Sequence, residues 1–151
     1  AAAQGYARAQ YSLGRCYENG RGVQKELATA VQWFKKAAKQ GYAIAQFNLG
    51  WCYENGRGVR EDQATAVQWF KKAAKQGYAI AQFNLGWCYE NGRGVREDLA
   101  TAVQWYQKAA AQGYAAAQCN LGVCYENGRG ARKNLVTAAQ WYQKAAAQGY
   151  A

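Results

Sequence analysis

Residues 43–78 read AIAQFNLGWCYENGRGVREDQATAVQWFKKAAKQGY, and residues 79–114 repeat them almost letter for letter. Looser copies occupy residues 7–42 and 115–150. The Leu-Gly pair fixes the phase: Gly14, Gly50, Gly86 and Gly122 stand 36 positions apart. A fixed period in the range of roughly 20–50 residues marks a stacked-repeat architecture, in which no unit buries its apolar face alone. The repeats are 7–42, 43–78, 79–114 and 115–150 of a single repeat domain, 1–151.

Within the second copy, Ala45, Leu49 and Tyr53 fall at i, i+4 and i+8, one face of a helix A over about 43–54. Asn55-Gly56 ends it, because glycine past the last turn takes the left-handed conformation without a Cβ clash. Gly58 is a second permissive position, and Val59 is the apolar side chain that plugs the loop. Asp62 supplies an N-cap, its carboxylate accepting from free amides of a helix B that runs to about Gln76. Ala66, Trp69, Phe70, Ala73 and Ala74 form the expected buried stripe of helix B, and Gly77 stops it. Each repeat is thus a helical hairpin, and the fold class is all-α. The mid-helix Gly50 costs about 1 kcal/mol relative to alanine. Close approach of helix B, through its alanines, is the expected compensation.

Half of the 151 residues are apolar, and proline and methionine are absent. Residues 1–6, AAAQGY, repeat 145–150, so the chain reads as an in-phase segment of a longer array, with 1–6 the remnant of a preceding repeat. No apolar run reaches the roughly 18 residues of a membrane span. The chain reads as soluble, with no localisation signal visible. Cys16, Cys52, Cys88 and Cys124 occupy one equivalent position per repeat, and Cys119 is extra. Whole-repeat spacing sets them beyond the roughly 7 Å Cα limit for bridging. They read as small apolar filler, compatible with a reducing compartment. There is no histidine and no CxxC pair, so no metal or cofactor is expected. The NGRG loop follows a helix and lacks the GK[ST] ending of a phosphate loop. Ser12 is the one serine, and the acids sit at helix ends or in loops, so nucleophile, base and orienter cannot be assembled. An enzyme is not expected.

The recurring pattern A-x-A-Q-x-x-L-G-x-x-Y-x-x-G-x-G-V, then A-x-x-W-[FY]-x-K-A-A-x-Q-G, resembles the Sel-1-like repeat family, related to tetratricopeptide repeats. In the second copy its residues are Ala43, Ala45, Gln46, Leu49, Gly50, Tyr53, Gly56, Gly58 and Val59, continuing with Ala66, Trp69, Phe70, Lys72, Ala73, Ala74, Gln76 and Gly77. Glu26 and Asn134 replace the capping Asp, Ala131 the loop Val, and Ala139 the valine found at 103. The resemblance implies a right-handed α-solenoid (superhelix) of four helix-turn-helix repeats, its concave surface lined by A helices. It also implies an adaptor role in protein complexes. A cysteine-rich bacterial branch of the family staples each hairpin with a disulfide; its regularly paired cysteines are absent here.

Positions that differ among the copies cluster on one face of helix A. Arg8, Ile44, Ile80 and Ala116 are equivalent; so are Tyr11, Phe47, Phe83 and Cys119, and Arg15, Trp51, Trp87 and Val123. Asn48, Asn84 and Asn120 border them, with Ser12 in the first copy. If the A helices line the inner surface, these residues form a groove for a protein or extended peptide. The asparagines would then hydrogen-bond its backbone and the aromatics anchor it. Arg8 and Arg15 favour an acidic residue or a terminal carboxylate there. The alternative is that the rings pack between adjacent A helices and the asparagines bond a neighbouring helix.

Net charge is +10, with seven basic against two acidic residues in 7–42 and three against three in 79–114. A basic nucleic-acid-binding solenoid and a structural spacer in a longer array are the competing readings, although no single stripe gathers both bases and aromatics. Trp141 and Tyr142 lack a following helix A to cover them, so end-to-end self-association is expected as well.

Overall fold

A computed structural model describes the backbone of residues 2–149 and the side chains of residues 5–149. All regular structure among the described residues is helical: α1 (Ala2–Asn19), α2 (Leu27–Lys39), α3 (Ala43–Asn55), α4 (Gln63–Lys75), α5 (Ala79–Asn91), α6 (Leu99–Ala111), α7 (Ala115–Asn127) and α8 (Leu135–Ala147). The odd-numbered helices are the A helices and the even-numbered ones the B helices. The expected remnant at 1–6 lies partly outside the described residues; from Ala2 the backbone already belongs to α1. Among the described residues, no helix is long and apolar enough to cross a membrane. The chain forms two compact units, Ala1–Gln76 with α1–α4 and Gly77–Ala151 with α5–α8.

Local chemistry sets the helix ends. Gly56 closes α3 at φ 63°, its amide donating to the Cys52 carbonyl, and Gly92 and Gly128 do the same for α5 and α7. Asp62, Asp98 and Asn134 cap α4, α6 and α8 by accepting from the amides of Thr65, Thr101 and Thr137. Glu26 makes no such side-chain bond at the start of α2. The carboxylate of glutamate is held one methylene further out, beyond the short cap geometry that suits Asp and Asn.

In the first unit α2 lies between α1 and α3, and in the second α6 lies between α5 and α7. Burial on two sides widens the apolar arc of these two B helices. On α2 it comprises Ala30, Val31, Phe34, Ala37 and Ala38, and on α6 Ala102, Val103, Tyr106, Ala109 and Ala110. The expected stripe is corrected here. Val67, not Trp69, is the buried residue on α4, and Trp69 is half-buried with Lys72 Nζ 4.5 Å from its ring centroid. The same indole–ammonium pair recurs as Trp33–Lys36, Trp105–Lys108 and Trp141–Lys144. An ammonium over the indole face lets a large ring sit at the solvent boundary.

Gly50 is the contact point of the α3–α4 hairpin, as expected, but the group it faces is a ring. A Cβ there would lie 2.8 Å from two carbons of Phe70 and 3.1 Å from the Ala66 carbonyl oxygen. Val59 packs against the core of the first unit, as the loop plug should.

A second tie between A and B helices runs through glutamines. The Gln76 amide donates to buried Gln46 at 2.8 Å, and Gln112 and Gln148 donate likewise to Gln82 and Gln118. Gln40 bonds Gln10 in the same way. Gln46 and Gln118 in turn donate to the carbonyls of Ala38 and Ala110 on the preceding B helix. A buried amide must be satisfied or it costs about 1–3 kcal/mol, so these pairs fix register as well as position.

Candidate partner-binding face

The residues read as a groove sit on the A helices, none of them fully buried. In the first unit, Arg8 on α1 is exposed and Tyr11 is half-buried. The Tyr11 ring packs 5.6 Å from both Phe34 and Tyr42. Its hydroxyl accepts from Asn48 Nδ2 at 3.0 Å and from the Arg15 guanidinium at 3.5 Å. Arg15 also pairs with Glu18 at 3.3 Å, so part of its charge is answered within α1. Tyr11, Arg15 and Asn48 therefore form one hydrogen-bonded cluster.

On α3, Ile44, Phe47 and Trp51 are half-buried. Phe47 packs at 5.7 Å and 34° against Phe70, and the Arg57 guanidinium lies 5.1 Å from the Trp51 ring centroid. Phe47 is thus wedged against its own B helix and still reaches solvent.

In the second unit α5 repeats the arrangement of α3 with one change. Ile80, Phe83, Asn84 and Trp87 on α5 are half-buried. Phe83 packs against Tyr106 at 5.7 Å and Tyr114 at 5.3 Å, and Arg93 lies 5.6 Å from the Trp87 centroid. The change is Tyr106, where α4 has Phe70. Its hydroxyl donates to Glu90 Oε2 at 2.6 Å and also engages Asn120. Burial, reinforced by Glu90, raises the Tyr106 phenol far above its ordinary range, while the Asn120 bond opposes that rise. Asn48 and Asn120 are therefore both tied to tyrosine hydroxyls. At the other variable positions of α7, Ala116 and Cys119 are half-buried and Val123 is 39% exposed.

Arg57 and Arg93 stand in the NGRG loops of the second and third repeats. The structure sets each over the indole six residues earlier, and the recurring W-x5-R spacing was the available signal. The cysteines are free, with Cys52 and Cys124 buried. Burial pushes both thiols up to about 11, with Glu18 and Glu90 adding and Arg57 and Arg129 opposing. Among the described residues no group of His, Cys, Asp and Glu is placed to hold a metal ion.

What the face offers is repeated half-buried indole and phenyl surface edged by guanidinium donors. Such a combination suits apolar side chains and carbonyl or carboxylate groups together.

The sequence pattern of the Sel1 repeat matches residues 7–42, 43–78, 79–114 and 115–150. Among solved structures, one similar protein is c5321, a protective antigen present in uropathogenic Escherichia coli strains that displays an SLR fold. It is 46% identical, with a TM-score of 0.92 over 95% of this chain and 31% of its own. A Sel1 repeat protein from Oxalobacter formigenes is 40% identical, also at 0.92, over 95% of this chain and 59% of its own. Helicobacter pylori cysteine rich protein B is 28% identical, at 0.65, over 87% and 94%. This chain therefore spans about a third of the E. coli protein and 59% of the Oxalobacter one. No curated protein sequence matches. The all-α, helical-hairpin fold of the α-solenoid class is shared with these structures.

Proposed function

Because this chain belongs to the Sel1 repeat family, whose repeats generally mediate protein–protein interaction, we propose that it is a non-catalytic scaffold binding a protein or extended peptide on its A-helix face. The observation that carries the reading is the indole–guanidinium pair, present in each unit as Trp51–Arg57 and Trp87–Arg93. Large rings held at the surface beside Phe47 and Phe83 are the anchors from which interface hot spots are made. Asn84 supplies a donor and an acceptor to a peptide backbone. Asn48 and Asn120, already bonded to tyrosine hydroxyls, contribute their remaining lone pairs. Arg8, exposed on α1, and the uncompensated part of Arg15 favour an acidic residue or terminal carboxylate at that end.

The test starts with affinity capture and mass spectrometry to obtain a partner, followed by calorimetry. Asn84→Ala with Trp87→Ala should lose about 2 kcal/mol or more, the hot-spot scale. Trp105→Ala, on a B helix, should leave affinity unchanged. An unaltered affinity in the folded double variant, or a partner mapped to the B helices alone, would reject the assignment. Steep weakening of binding with salt would instead favour a nucleic-acid ligand.

A further inference from the structure

The B helices share one design and differ in charge. Each carries a tryptophan with a lysine three residues on, the ammonium 4.3–4.5 Å from the ring centroid. The lysine at 36, 72, 108 and 144 is explained by the indole it covers. The neighbouring positions are not uniform. Lys35 and Lys39 on α2, and Lys71 and Lys75 on α4, correspond to Gln107 and Ala111 on α6 and to Gln143 and Ala147 on α8. Folding is served by either set. Lys35 Nζ sits 5.6 Å from the Tyr53 ring centroid, whereas Gln107 donates to the Tyr125 hydroxyl at 3.0 Å. Cations favour a helix C-terminus, yet α6 and α8 end on alanine where α2 and α4 end on Lys39 and Lys75.

The extra lysines of the first unit are gathered in one place. The Gln76 amide, just past α4, donates to the carbonyl of Gly41, just past α2, at 2.9 Å. The last turns of both helices therefore lie at one edge of the unit. They hold Lys36, Lys39, Lys72 and Lys75, all exposed, and neither α2 nor α4 contains an acidic residue. Among the described residues none of these four lysines forms an ion pair. The patch is also bounded. Exposed Glu26, Glu61 and Asp62 stand at the far ends of the same helices, roughly 15–20 Å away along the axis.

We propose that this lysine patch docks a short acidic segment of a protein partner, on a surface separate from the A-helix face. Its surroundings select that occupant. The bounding carboxylates repel the long run of phosphates in a nucleic acid, but leave room for about five extended residues at roughly 3.3 Å each. The exposed side of each indole is already taken by an ammonium, so bases have nothing to stack on. Among the described residues α2 and α4 expose no large apolar side chain, so nothing on them enters a bilayer. Lys36 and Lys72, held over Trp33 and Trp69, meet the carboxylates with part of their rotamer freedom already lost.

Fluorescence anisotropy of a labelled hexaglutamate, titrated with the full chain in about 0.1 M salt, tests the proposal. Lys39→Ala with Lys75→Ala installs the residues that α6 and α8 carry, so the variant should stay helical by circular dichroism. Its affinity for hexaglutamate should fall about three- to thirtyfold. Arg96→Ala with Arg132→Ala removes the same charge from exposed loop positions of the second unit. That variant should change affinity by less than about twofold, since salt screens charges more than roughly 10 Å apart. Arg8, Arg15 and Trp87 are untouched in both, so the loss does not report the A-helix face. No binding of hexaglutamate, an unchanged affinity in the lysine variant, or an equal loss in the arginine variant overturns the proposal. Tighter binding of charge-matched heptathymidylate through these lysines, or their capture of phosphatidylserine vesicles, overturns it as well.

Discussion

Asn48 Nδ2 donates to the hydroxyl of Tyr11 at 3.0 Å, joining α3 to α1 across 37 residues of chain. Both residues were read from the sequence as parts of a ligand groove, and the bond gives them a structural role first. Asn48→Ala and Tyr11→Phe should each destabilise by about 0.5–1.5 kcal/mol in urea unfolding. The double variant should cost less than the two together, because one bond is lost only once. Strict additivity would show that the pair does not interact in solution.

Gly50→Ala should destabilise despite the better helix propensity of alanine. The added methyl meets the Phe70 ring at 2.8 Å, and overpacking of this kind costs about 1–3 kcal/mol. Phe70→Leu in the same chain opens space and should recover part of the loss. If Gly50→Ala alone raises the unfolding midpoint, the close approach is not tight.

Acid should loosen the starts of α4 and α6. The Thr65 hydroxyl and amide hold the Asp62 carboxyl below its ordinary 3.8, and the Thr101 amide and hydroxyl do so for Asp98. A carboxyl lowered by folding contributes stability that is present above its unfolded value and lost as pH falls through its folded one. Asn134 accepts from the Thr137 amide at 3.0 Å without a titrating group. Asp62→Asn with Asp98→Asn should therefore match the parent near neutral pH and lose less stability between about pH 4 and pH 2. Parallel melting curves across that range would contradict the cap assignment.

Thiol reactivity should divide the five cysteines. Cys52 and Cys124, buried and raised to about 11, stay protonated at mildly alkaline pH, and only the thiolate attacks an alkylating reagent. In the native protein iodoacetamide should modify Cys16 and Cys119, both half-buried, well before the buried Cys52, Cys88 and Cys124. All should react in denaturant. Equal native rates by peptide mass spectrometry would refute the burial.

Helix boundaries were legible because each rests on a few adjacent residues. Asn55-Gly56 and Asp62 act through their own backbone and the next amides, so α3 ends and α4 begins where the letters indicate. Helical periodicity likewise predicted Ala45 and Leu49 as core. The same method misjudged Trp69 and Val67: Val67 is buried, and the Trp69 ring sits half-buried beneath the Lys72 ammonium, a pairing that apolar periodicity does not register. Asparagine at 48 gave no sign that its partner would be a tyrosine hydroxyl in the previous repeat. Glutamines at 46 and 76 recur in every copy, yet nothing local says that they bond each other.

The sequence by itself determined the repeat length, the helices, their caps and the variable face, because these depend on short-range backbone preference and on spacing along one helix. Only the tertiary structure decided that Phe70 fills the space at Gly50, that Arg57 and Arg93 lie over Trp51 and Trp87, and that Asn48 bonds the hydroxyl of Tyr11. Each of these is a contact between residues whose separation in space follows from how helices pack. Identical letters at equivalent positions are buried or exposed according to whether a neighbouring helix is there to meet them.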